Sequence, residues 1–283
     1  MLAAALLVAG APAVFGANIG VAFYDQRFGL LNDATGAYSQ VSNLPIAGGA
    51  AGLAALNGLY YLEDLGDNLF TADPLTGTAS KVGSAGMNLD VAAFAGTATA
   101  LFEMDRSSNL YSIDAATGAA KKIGATGIAP ANRNHDTSLS SDGTWLYYTV
   151  GLEDEADELY RINVLTGIAA DLGNTGVRSV AGSAFVNGQL ELFQYGEDRN
   201  YIYTAADGST RFTRGAQLSS SAQIIDGGAL LLPTADNTNV TGLVPEPNTF
   251  VLAGLGLVAA CLVSALREHL SKALVPVVAR RGG

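Results

Sequence analysis

The sequence predicts an all-β fold: a β-propeller of five blades, with six as the alternative count, followed by a C-terminal transmembrane helix. Three observations predict it. A Thr-Gly pair recurs at Thr35-Gly36, Thr76-Gly77, Thr117-Gly118 and Thr166-Gly167, with Asp207-Gly208 in the next equivalent place, at glycine spacings of 41, 41, 49 and 41 residues. Each pair sits in a fixed frame. Phe70, Tyr111, Tyr160 and Tyr201 stand seven residues before the last four glycines, Asn32, Asp73, Asp114 and Asn163 four before the first four, and Val41, Val82, Ile123 and Leu172 five after them. Finally, only 14% of the 283 residues are charged and 34 are glycine, a balance that suits short strands and tight turns better than long surface helices.

The best-formed copy reads NLYSIDAATGAAKKIG, residues 109–124. Tyr111 and Ile113 alternate with polar neighbours as in a half-buried strand. Asp114 caps a turn with its own carboxylate, Gly118 supplies the positive φ that closes the hairpin, and Lys121 to Ile123 return. A second hairpin precedes each copy, with turns expected at Asn57-Gly58, Ala95-Gly96, Asp142-Gly143, Asn187-Gly188 and Asp226-Gly227. Each repeat then supplies four antiparallel strands, a to d, and four strands in about 40 residues make a propeller blade. A β-sandwich, the competing architecture, does not need a 41-residue register.

Closure is also legible. The first copy begins at Gly20 with no room for strand a, whereas Ser221 to Thr234 is expected to form a hairpin and stop. That hairpin should join the N-terminal strands in one shared blade. If it stands alone, the count becomes six.

The two ends differ from the body. Residues 2–15 are apolar and uncharged and lead into Gly16-Ala17, the pattern of a secretory signal over residues 1–16. The competing reading is a buried first strand, for which an Ala-rich run is poorly suited. The basic stretch that usually opens a signal is missing before Arg27, which places the expected true start upstream. The second apolar run, residues 249–266, is uncharged and as a helix would cross a hydrocarbon core. Arg267, Lys272, Arg280 and Arg281 follow it, so the positive-inside rule leaves the body, residues 17–243, outside the cell. The only cysteine, Cys261, lies in this span, and the body must be held by packing rather than disulfides.

Immediately before the span stand Val244, Pro245, Glu246 and Pro247. With the helix and the basic end, residues 244–283 resemble the PEP-CTERM family of sorting tails. Asn248 stands where Ser or Thr is commoner, and the tail runs further past the helix than is usual. The resemblance implies an exported protein, an exosortase-type enzyme as partner, passage through the inner membrane as an anchored precursor, and a cell-surface or extracellular destination tied to extracellular polysaccharide and biofilm. The LYxIDxxTGxxxxIG repeat separately resembles exported bacterial propellers over residues 21–235, which implies fold and not activity.

Net charge is −11, and with four basic and two acidic residues after position 243 the remainder carries −13. Nucleic acid is therefore not an expected partner, since phosphate binding needs clustered Lys and Arg. Loops in a four-stranded meander alternate between faces, so the b–c loops and the connectors between blades share one face. That face is expected to carry Asp105, Asp198 and the segment Arg133, Asn134, His135, Asp136 as a binding surface. The dense carboxylates Asp154, Glu155 and Asp157 are the candidate calcium ligands, although they lack the D-x-D-x-D-G spacing of a dedicated loop. Without calcium, these are solvated turn residues and no cofactor is expected. The only histidines are His135 and His269, which disfavours zinc or haem, and no nucleophile motif stands out. Trp145, Leu146, Tyr147 and Tyr148 are core residues or, alternatively, a sugar-stacking platform. The expectation is a non-enzymatic module that binds polysaccharide, protein or a cation. The alternative is an exported propeller enzyme that hydrolyses or lyses glycans.

Overall fold

The computed structural model describes residues 17–46, 49–87, 89, 91–130, 136–151, 155–195, 201–205, 210–221 and 225–229. Among them every regular element is a strand. The segments 1–16 and 244–283, with the expected signal, sorting motif and membrane helix, lie outside the described residues.

The strands form a β-propeller-like succession of four-stranded antiparallel meanders. The first unit contains β1 (Asn18–Phe23), β2 (Arg27–Asn32) and β3 (Tyr38–Asn43). The second comprises β4 (Ala50–Leu56), β5 (Leu59–Asp64), β6 (Asn68–Ala72) and β7 (Ala79–Ser84), and the third β8 (Val91–Gly96), β9 (Leu101–Asp105), β10 (Asn109–Ile113) and β11 (Ala120–Ala125). The fourth holds β12 (Thr137–Ser141), β13 (Trp145–Val150), β14 (Glu158–Asn163) and β15 (Ala169–Asn174); the fifth holds β16 (Val180–Val186), β17 (Gln189–Gln194), β18 (Tyr201–Ala205) and β19 (Phe212–Gln217). The last strand, β20 (Ile225–Ala229), pairs antiparallel with β1 and supplies the inner strand that the first unit lacks. Two expected turns are corrected here. Asp226-Gly227 lies within β20, with Gly227 opposite Ala22, because β1 already occupies the second-strand position and only one strand is missing. Ala95-Gly96 likewise stays in β8; the turn falls at Thr97–Ala100, where the Thr97 hydroxyl accepts the Ala100 N–H.

The Thr-Gly turns form as the sequence requires. In the second, third and fourth units the capping side chain accepts two N–H groups, and in the first Asn32 Oδ1 accepts the Thr35 N–H and hydroxyl. Asp114 Oδ1, for example, accepts from Ala116 and Thr117 at 2.9 Å each, and the Gly118 N–H then donates to the Asp114 carbonyl at 2.7 Å. Gly118 stands at φ +76°, where a Cβ would be strained. The preceding hairpins at Asn57-Gly58 and Asn187-Gly188 have both residues at positive φ, the signature of the turn that matches strand twist.

Alternation along the strands buries both faces of the inner strands, so each unit packs against its two neighbours. Five apolar layers result: between the first and second units (Phe28, Leu53, Tyr60, Leu62), the second and third (Tyr61, Leu69, Phe94, Leu101), the third and fourth (Met104, Leu139, Tyr148), and the fourth and fifth (Leu159, Val180, Leu192). The remaining layer joins the fifth unit to the first through Ala184, Val186, Phe193, Ile19, Val21 and Phe23. Gly20 makes room for Tyr60, whose ring would lie 2.3 Å from an added Cβ and packs edge-on against Phe28.

Candidate binding face

Four internal latches organise the face formed by the loops after the second strand of each unit. The backbone carbonyl of a loop residue accepts an N–H from the connector 18 positions later: Gln26 from Leu44, Asp67 from Ala85, Ser108 from Thr126, and Asp157 from Thr175, at 2.7–3.0 Å. Gln26, Asp67 and Ser108 adopt positive φ to do so. Loops and connectors therefore share one side, as expected from the alternation of the meander.

Of the residues expected on this face, Asp105 and Asp157 are engaged within the protein. Asp105 is buried and accepts from the Asn109 N–H and side-chain amide at 2.8 Å each, and from the Tyr111 hydroxyl at 3.1 Å. Asp157, 1% exposed, accepts from the Ser179 and Val180 N–H groups at 3.1 and 2.7 Å, tying its loop to the first residues of the next unit. Glu155 is exposed, and Asp136 is partly buried, its carbonyl accepting from Gly151. Arg133, Asn134, His135, Asp154 and Asp198 lie outside the described residues. Among the described residues no three His, Cys, Asp or Glu side chains converge as a metal group.

What sequence reasoning missed is apolar. The residue immediately after the second strand is Tyr24 in the first unit, Leu65 in the second and Tyr195 in the fifth, and all are exposed, at 56, 43 and 38%. These three units are consecutive around the fifth-to-first layer, so the side chains line one sector of the loop face. Beside them Arg27 pairs with Asp25 at 2.7 Å and lies over the Phe23 ring at 4.3 Å; its guanidinium also donates to the Ser221 carbonyl. Trp145, by contrast, begins its strand at the opposite end and is covered by Arg161 at 4.7 Å, while Leu146 and Tyr148 are wholly buried in the core.

A second missed feature lies beneath the face. Glu63 and Glu103 are both 0% exposed and face one another across the layer between the second and third units. Among the described residues no group other than the partner glutamate bonds to their four carboxylate oxygens. Burial pushes both carboxyls well above the usual carboxylate range, and the charges of Asp67, Asp64 and Asp105 push the same way. A hydrogen bond between two carboxyls requires that at least one of them carry a proton. Glu191 is also buried and pushed up to about 8, first by desolvation and then by Asp33 across the closing layer. The signal in the sequence was Glu103 at an inward-facing position of an otherwise apolar strand, LFEMD.

No family model matches the chain, and no curated protein matches it. Solved structures do match. One is titled as the crystal structure of a nidogen/laminin complex, 10% identical, with a TM-score of 0.49 over 76% of this chain and 98% of that one.

Proposed function

We propose that this chain is an exported, five-bladed β-propeller that acts as a non-enzymatic binding module and is carried to the cell surface or matrix by its residues 244–283. The observation that carries the binding reading is the exposed sector Tyr24, Leu65 and Tyr195, repeated at one structural position on three successive units. Exposed apolar groups collected on one face mark interaction sites, and tyrosine offers a rigid, amphipathic surface with a hydroxyl for hydrogen bonding. A neutral or weakly polar polysaccharide is the ligand class that fits best. A polyanion meets a body charge of −13, and a sugar presents C–H faces to aromatic rings and hydroxyls to Asp25 and Arg27. The five-blade count is supported by five apolar layers of which the last joins the fifth unit to the first. The exosortase-type processing, the membrane-anchored precursor and the extracellular destination rest on the resemblance of the tail to PEP-CTERM sequences.

A glycan array probed with the chain tests the binding reading. Tyr24→Ala together with Tyr195→Ala should weaken the best-bound glycan at least about tenfold, the loss of roughly 1.4 kcal/mol. Equal binding by wild type and variant rejects this sector as the site. Release of reducing ends from a bound glycan would favour the hydrolytic alternative.

A further inference from the structure

Glu63 lies on β5, two residues from Tyr61, and Glu103 on β9, two residues from Leu101; both neighbours belong to the apolar layer between the second and third units. Period-two alternation therefore sends both carboxylates into that layer. Among the described residues no cationic side chain acts on either. The charged groups that act on Glu63 are Glu103, Asp67 and Asp64, and those acting on Glu103 are Glu63, Asp67 and Asp105, every one acidic. The three aspartates have other engagements: Asp64 accepts the Gly66 and Asn68 N–H groups, Asp67 the Leu89 N–H, and Asp105 its Asn109 and Tyr111 donors. Four oxygens of two fully buried side chains thus converge, and among the described residues nothing but the other glutamate bonds to them. Burying charge in this way is costly unless it is paired or coordinates a metal.

We propose that Glu63 and Glu103 together bind one divalent cation, calcium in particular, between the second and third units. Two carboxylates neutralise one divalent charge and offer up to four hard oxygen ligands. Nitrogen and sulfur ligands are absent from the pair, which disfavours zinc and copper. Magnesium gives up its water reluctantly and needs near-ideal octahedral geometry, whereas calcium accepts irregular carboxylate sets in the dry setting of this layer. The exchange balances simply. The ion displaces the protons that the two carboxyls hold, these pass to solvent, and two carboxylates remain on the metal.

The test uses the full chain in detergent, with calcium chloride as the probe. In weakly buffered solution at pH 7, where both carboxyls are raised above neutrality, calcium should release one to two protons per ion bound. At tenfold excess over its dissociation constant it should also raise the melting temperature by about 3 °C. Both effects should disappear in Glu63→Gln and in Glu103→Gln. Magnesium at the same concentration should give a smaller shift. A melting temperature unmoved by 10 mM calcium, or a shift retained in both variants, overturns the proposal, and the pair is then a proton-sharing contact only. Binding of calcium without proton release overturns it as well, and this reading needs no variant to fold.

Discussion

The second and third units use glycine for two separate purposes, and they are coupled between neighbours. Gly118 supplies positive φ in its own turn, and that turn docks on the outer strand of the unit before it. The carbonyl of Thr117 lies 1.8 Å from where a Cβ on Gly83 would be, and Gly36 is held equally closely by the Gln217 carbonyl of the fifth unit. The glycines that end the second and third copies, Gly83 and Gly124, are thereby explained as seats for the next turn. Gly118→Ala should destabilise by about 1–3 kcal/mol from backbone strain, before any clash with Gly83 and Ser84 is added. A thermal melt checks this. Asp157→Ala removes the acceptors of the buried Val180 N–H and the half-buried Ser179 N–H and should cost about 2–3 kcal/mol, whereas Glu155→Ala, at an exposed site, should change stability by less than about 0.5 kcal/mol. The sequence displayed Asp157 as one carboxylate in an acidic run. Its partners Ser179 and Val180 lie 22 and 23 residues away, a relation that local spacing does not reveal. The turn caps were legible because all their partners lie within four residues.

At the scale of the element, the strands were readable where alternation and turn chemistry agree. They were misread where a Gly suggested a turn and an unsatisfied neighbouring strand claimed it: Gly227 and Gly228 extend to pair with Ala22 and Val21. The exposed Tyr24 and Tyr195 were hidden for another reason, since each follows directly on an apolar strand and reads as its continuation. The buried glutamates give the elements a pH dependence of definite sign. Glu63, Glu103 and Glu191 bind protons more tightly folded than unfolded, where a glutamate titrates near 4.5. Their contribution is therefore fully present below about pH 4.5 and is lost as pH rises through the folded values, about 8 for Glu191. In calcium-free buffer the melting temperature should fall between pH 5 and pH 8. Glu103→Gln should flatten that slope, because an amide donates to Glu63 without titrating. A wild-type melting temperature that rises over this interval contradicts the buried pair.

The whole molecule is an acidic body of repeated meanders followed by a tail of opposite charge. Its sorting is tested by removing residues 244–283, which should transfer the protein wholly to the medium; identical fractionation of truncated and full-length chains contradicts the reading of the tail. In the proposed ring, closure falls to one short strand. β20 completes the first unit, and a layer joins Phe193 and Ile202 of the fifth unit to Ile19, Val21 and Phe23 of the first. Without β20, β1 presents an unpaired edge and the inner end of that layer is opened to water. The most direct measurement is therefore the thermal unfolding of a chain lacking residues 219–243, compared with one lacking only residues 244–283. A closed five-bladed ring predicts that the first chain melts more than about 10 °C lower, or loses its cooperative transition altogether, since each kcal/mol lost from a domain of this size lowers the midpoint by roughly 2–4 °C. Equal melting temperatures for the two chains would show that β20 closes nothing.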